Sequence, residues 1–128
     1  MQIKSGRELI LATKPFAKEI PWKSWYFTLS TLAILMALFA GIYFLDNIFL
    51  RIACSIAAGL TMVRMFVTYH DHQHHSILHR SLPADVLFKI YGIFILAPTS
   101  IWKRSHDYHH NHNSKLFSAS IGSYPIMT

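Results

Sequence analysis

Uncharged apolar residues run in long blocks along this chain, and the first block is the longest. From Trp25 to Leu45 the sequence reads WYFTLSTLAILMALFAGIYFL, 21 residues without a formal charge. At about 1.5 Å of helical rise per residue, such a run covers a hydrocarbon core of roughly 30 Å and predicts a transmembrane helix. A secretory signal peptide is a poor fit. The run begins more than twenty residues in, is too long for an h-region, and is followed by no small-residue cleavage site.

Asp46 and Asn47 form a polar tip, after which a second apolar run extends from Ile48 to Tyr69, interrupted by Arg51 and Arg64. The two runs, 25–45 and 48–69, predict a tight transmembrane hairpin. Arg51 lies near the turn and can snorkel. Arg64 stands six residues before the first histidine, about 9 Å of helix, so its guanidinium reaches the same interface; an anchoring role is preferred to a catalytic one. Residues 1–23 carry Lys4, Arg7, Lys14, Lys18 and Lys23 against Glu8 and Glu19, whereas the hairpin tip offers only Arg51. That asymmetry places residues 1–23 and the returning chain at His70 on the cytoplasmic side, with Trp22, Trp25 and Tyr26 as an aromatic belt. A third apolar stretch, Ile90 to Trp102, follows a predicted helix start at Ser81-Leu82-Pro83. It is short for a span and is broken by Pro98, so a re-entrant or interfacial element is expected. That arrangement keeps both flanking histidine segments in one compartment.

Composition changes the picture in two places. With 52% hydrophobic residues and a mean hydropathy of +0.30, the chain is far too apolar for disorder. Its net charge of +6 permits an acidic partner, but the Lys and Arg residues are scattered around uncharged runs rather than gathered in a stripe. Nucleic-acid binding is therefore not expected. The single cysteine, Cys54, excludes an internal disulfide and a zinc finger, and its apolar surroundings predict a buried, inert thiol.

All nine histidines fall in two short segments: His70, His72, His74, His75 and His79 in HDHQHHSILH, and His106, His109, His110 and His112 in HDYHHNH. On a helix, His70 and His74 share a face, and His106 shares one with His109 and His110, so five imidazoles from two helices can surround metal. His72, His75 and His79 share another face, leaving the first segment able to present either. Imidazole suits zinc, copper, iron and nickel alike, so ligand type does not choose the metal. Two clusters favour more than one ion. A dinuclear iron centre that activates dioxygen beside an apolar channel is one such arrangement. One interfacial histidine is ordinarily a polar tip at the headgroups, but nine in two helical arrays point to a metal site.

The phrase HDHQH at 70–74 resembles the first histidine box of the membrane fatty acid desaturases, placed as in that family at the end of a transmembrane hairpin. WKRSHDYHH at 102–110 resembles the second box, and the later SIGSYPIMT also looks like family sequence. The likeness runs from Trp25 onward. It implies an all-α integral membrane fold: a helical hairpin plus re-entrant or interfacial helices carrying cytoplasmic histidine boxes over residues 70–128. It implies that His70, His74, His106, His109 and His110 are iron ligands, with His72 at a variable position of the first box. His75, His79 and His112 are second-tier candidates. Asp71 and Asp107 can accept an imidazole N–H and so fix the tautomer that leaves the other nitrogen free for metal; a solvated acid is the plain alternative, with more weight at Asp107. Trp102, Lys103 and Arg104 are expected to anchor the second box at the headgroups, or to grip a substrate phosphate. No catalytic residue is expected apart from the metal centre.

The reaction implied is oxygen-dependent desaturation of an acyl chain carried on a lipid or acyl carrier, with electrons from a ferredoxin or cytochrome b5-type donor. No flavin, nicotinamide or haem motif is present to supply them. A carotenoid or lipid hydroxylase or ketolase with the same boxes is the nearest alternative, and a non-catalytic membrane metal-binding protein the next. The family pattern also has a third box, HxxHH, that these 128 residues lack. The chain is accordingly expected to be a single partial desaturase domain, truncated, weak in metal binding and without turnover.

Overall fold

The computed structural model describes residues 6–112, the side chains of Ala17 and His112 apart. Helix α1 (Gly6–Thr13) and a 3-10 turn (Lys14–Ala17) precede two long helices, α2 (Pro21–Phe44) and α3 (Ile48–Gln73). Two shorter helices follow, α4 (Leu82–Phe94) and α5 (Thr99–His112). No strand occurs among the described residues. The second apolar run therefore extends through the first histidine box before its helix ends.

Helices α2 and α3 are each long and apolar enough to cross a membrane, and they pack along one another as a hairpin. Pro21 opens α2 in the first turn, where its fixed φ suits a helix and its missing N–H leaves no bond unmade. The fully buried Thr28 and Thr31 donate their hydroxyls to Ser24 O (2.8 Å) and Phe27 O (2.6 Å), so neither carries an unmet polar group into the interior. Gly41 lets the helices close up: a Cβ there would stand 2.9 Å from the sulfur of Cys54, a half-buried free thiol. Outward-facing Phe44, Phe49 and Leu60 are each at least 69% exposed. An apolar exterior of this kind is suited to lipid rather than water.

The turn between the spans is fastened by polar atoms. Asn47 caps α3, its Oδ1 accepting from the backbone N–H of Phe49 (2.9 Å) and of Leu50 (3.2 Å). Arg51, expected only to snorkel, donates its Nε–H to Ile42 O at 3.0 Å and so satisfies a carbonyl near the end of α2. Replacing Asn47 with alanine is expected to cost about 1 kcal/mol of stability. Reversible unfolding in mixed micelles measures this, and no loss relative to the parent chain would contradict the capping role.

The core lies at the other end of the hairpin. Met65, Tyr69, Ala84 and Phe88 are completely buried, with Leu78 and Tyr91 nearly so, and Trp25, Phe66 and Trp102 pack around them. Tyr69 donates its hydroxyl to Ala97 O (2.8 Å) and Tyr91 to Met62 O (2.8 Å), so both phenols bridge elements. Glu19 accepts from the backbone N–H of Leu78 at 2.7 Å. The segment before α2 and the segment after α3 therefore meet at one end of the hairpin, as the sequence predicts.

One helix end fits the sequence expectation and another corrects it. The Ile90–Trp102 stretch is broken, as expected of a re-entrant or interfacial element: α4 stops at Phe94, and α5 leaves at a bend of 86°. Leu96 takes a left-handed φ of 57°, Leu96 N–H bonds Ile93 O, and Ala97 N–H bonds Gly92 O at 2.8 Å. Pro98 then prevents helical continuation. Helix α3 stops in the same way. His75 has φ 58°, its N–H bonds His72 O, and Ser76 N–H bonds Asp71 O. The shared face of His72, His75 and His79 consequently does not exist, because the helix that would create it ends at Gln73.

Candidate metal centre

Four histidines from two helix ends converge. His70 lies in the last turn of α3 and His74 caps it, while His106 and His110 are one turn apart on α5. The ring centroids of His70 and His74 are 4.5 Å apart, those of His106 and His110 also 4.5 Å, and across the helices His70–His106 is 4.8 Å and His74–His106 4.9 Å. One potential ligand atom from each of the four lies within 4.8 Å of all the others. His106 Nε2 stands 2.9 Å from His74 Nε2 and 3.0 Å from His110 Nε2.

These spacings fit a metal. Imidazole nitrogens bound to one ion at about 2.1 Å and at right angles stand about 3.0 Å apart. Without an ion, three convergent Nε2 lone pairs repel unless one nitrogen carries a proton. The electrostatics favour the ligating form: burial first, then His110, His70, His74 and His109, push the pKa of His106 down to about 4. His74 is lowered as well, by burial and then by His70, His110 and Lys103, against an opposing pull from Asp107.

The sign of the pH dependence follows from His106. Its folded pKa lies below the unfolded value of 6.5, so the unfolded chain binds the additional proton between those values. Stability from this group is thus full above about pH 6.5 and declines as the pH falls towards 4. Metal-free chain unfolded at pH 7.5 and pH 5 is expected to be less stable at pH 5, and His106→Gln is expected to flatten that difference. An unaltered slope in the variant would refute the assignment.

His109, expected as a ligand, is not in the group of four; its ring stacks beside that of His106 at 6.2 Å. His75 and His79 face one another at 6.2 Å on the exposed loop after α3. His112 ends α5, but its side chain lies outside the described residues, as does the segment SIGSYPIMT. Asp71 Oδ1 stands 3.3 Å from His70 Nδ1 and can accept its proton, leaving Nε2 for metal. Asp107 instead sits 3.6 Å from Lys103 Nζ.

Three residues do more here than sequence reasoning assigned them. Trp102 stacks on His106, with centroids 4.3 Å apart and planes 20° from parallel, and meets His70 edge-on at 5.6 Å. Lys103 Nζ donates to Gln73 O at 3.0 Å, tying α5 to the end of α3. His72 points into the protein, 5% exposed. The one-turn spacing of Trp102 and His106 was the available signal for the first. Nothing in the sequence pairs Lys103 with Gln73.

Comparison with known proteins finds relatives of this chain. Over 93 residues the chain is 33% identical to the chloroplastic omega-3 fatty acid desaturase of Brassica napus, covering 73% of this chain and 23% of the relative. Over 96 residues it is 27% identical to the fatty acid desaturase of Bacillus subtilis, covering 70% of this chain and 27% of the relative. The chain is a relative of the fatty acid desaturases. A third such desaturase, the chloroplastic sn-2 acyl-lipid omega-3 desaturase (ferredoxin) of Arabidopsis thaliana, is 31% identical over 93 residues, 73% of this chain and 21% of its own. This desaturase relative thus spans about a quarter of the length of the curated proteins it matches. No family model matches it. No solved structure matches it either.

Proposed function

We propose that this chain carries the first two histidine boxes of an oxygen-dependent acyl-chain desaturase, with His70, His74, His106, His109 and His110 as ligands of a di-iron centre. The convergence of His70, His74, His106 and His110 within 4.8 Å carries the reading, and the desaturase names of all three relatives favour desaturation over hydroxylase or ketolase chemistry. His109, beside the group of four, is assigned to the second ion. Iron, when bound, supplies activation of dioxygen for hydrogen removal from unactivated methylenes.

The chain's own residues hold and orient. Asp71 accepts from His70 Nδ1 and so selects its tautomer. Trp102 fixes the plane of His106 by stacking. Neutral His106 and His74 meet the ion without first losing a proton. The apolar exterior of α2 and α3 keeps the boxes beside lipid, where an acyl-lipid or acyl-carrier substrate delivers its chain. Residues 1–23 and the boxes are assigned to the cytoplasmic side, with five basic residues before the first span. Electrons come from a ferredoxin, the donor named for the Arabidopsis relative, or from a cytochrome b5-type protein.

The test has two parts. Chain purified in lipid nanodiscs and loaded anaerobically with Fe(II) is expected to retain iron through dialysis, and retention no better than that of a His70→Ala/His106→Ala variant overturns the metal assignment. The box-bearing stretch 25–112 is then exchanged into the matched Bacillus desaturase. New double bonds in the host's acyl chains are expected; an iron-loaded chimaera that makes only hydroxylated products, or none, overturns the reaction class.

A further inference from the structure

The histidine that belongs to neither helical array of ligands is the one buried imidazole among the described residues. His72 is 5% exposed, its ring lies over Phe88 at 4.6 Å and 31°, and both of its nitrogens face oxygen. Nδ1 stands 3.1 Å from Ile77 O and Nε2 stands 2.9 Å from Asp85 Oδ1. Both ring nitrogens thus face oxygens within the protein, and the ring is turned away from the group of four histidines. Asp85 sits in the first turn of α4, where the helix N-terminus favours a carboxylate. The contact therefore closes the whole loop between α3 and α4, thirteen residues apart in sequence.

The position of this contact gives it a role. His72 lies between His70 and His74, on the opposite side of the same last turn of α3. That turn ends in the left-handed His75, a conformation that a non-glycine residue keeps only when its surroundings hold it there. The bond to Ile77 O folds the loop back under the turn, and the bond to Asp85 fastens it to α4. Lys103 Nζ on Gln73 O then joins the same turn to α5.

We propose that His72 and Asp85 form a latch that sets the pitch of the first histidine box, making both of them positioning residues for the metal centre. The latch deepens the metal-centre reading and rests on it for its purpose, though not for its existence. It acts in the metal-free chain, by holding the last turn of α3 so that His70 and His74 face α5 before any ion arrives.

Two measurements on the full chain in nanodiscs test it. Amide hydrogen exchange over 70–78, without metal, reads the latch directly; Co(II) titration followed by its visible absorption reads ligand placement. His72→Phe keeps a ring to stack on Phe88 and removes both ring nitrogens, and Asp85→Leu removes the carboxylate that meets Nε2. Each is expected to speed exchange over 70–78 and to weaken Co(II) binding about 10- to 100-fold, as loss of a ligand-orienting contact does. The double variant is expected to be no worse than the more affected single variant, because one shared contact is lost. His72→Gln, which keeps one N–H donor, is expected to recover part of both effects, and Asp85→Asn, which keeps an acceptor, part as well. Unchanged exchange in His72→Phe overturns the latch, as do additive effects in the double variant. If Co(II) binds neither parent nor variants, the metal reading fails, while exchange over 70–78 still decides whether the latch exists.

Discussion

Replacing His106 with alanine is expected to lower the affinity of the chain for Fe(II) or Co(II) by more than about 100-fold, the upper end of what loss of an orienting neighbour alone costs. His106 is the hub of the group: its Nε2 lies 2.9 Å from His74 Nε2 and 3.0 Å from His110 Nε2, and its ring centroid is 4.8 Å from that of His70. Removing it takes away a donor and also the Trp102 stack that fixes the plane of the second box. The remaining three histidines still converge but lose the nitrogen that stands about 3 Å from two of the others. His79→Ala, on the exposed loop, is the matched control and is expected to leave affinity unchanged. Isothermal titration in nanodiscs checks both. Equal losses in the two variants would mean that metal binds to the histidines indiscriminately rather than at the convergent site.

Much of this arrangement was legible in the sequence for definite reasons. The hairpin could be read because a membrane-spanning helix must be continuously apolar for about 20 residues, a constraint that needs no partner to be visible. His106 and His110 could be paired because one turn of helix puts them on one face whatever the helix packs against. What failed was what depends on where helices end. The extra face of His72, His75 and His79 required α3 to continue past Gln73. It is stopped instead by a left-handed His75, a position that glycine or asparagine would have announced. The break in the Ile90–Trp102 stretch could be read from Pro98, whereas the left-handed Leu96 that ends α4 carries no such signal. Lys103 and Arg51 read as charges for the headgroups, yet each meets a backbone carbonyl, at Gln73 and Ile42, whose need for a donor is set by tertiary structure alone. His72 was distinguishable from its neighbours only through Asp85, and no local period links the two.

Phe88→Ala is expected to be the most destabilising single change outside the metal centre, at about 3–5 kcal/mol. Phe88 is completely buried in α4, meets Tyr69 edge-on at 6.3 Å, and lies beneath the ring of His72 at 4.6 Å. Truncation there leaves a cavity beneath the first histidine box, bounded by two elements that are pinned elsewhere and so collapse poorly. Tyr69 is fixed by its hydroxyl on Ala97 O, and Tyr91 by its own on Met62 O. Ile90, on the same helix but 62% exposed, gives the comparison, and Ile90→Ala is expected to cost less than about 0.5 kcal/mol. Unfolding of the two variants in mixed micelles separates these outcomes. Metal affinity should fall with Phe88→Ala and not with Ile90→Ala, since His72 loses its packing partner in the first and keeps it in the second. If the two variants unfold alike, the region that positions the boxes is held by lipid rather than by the core around Tyr69 and Phe88.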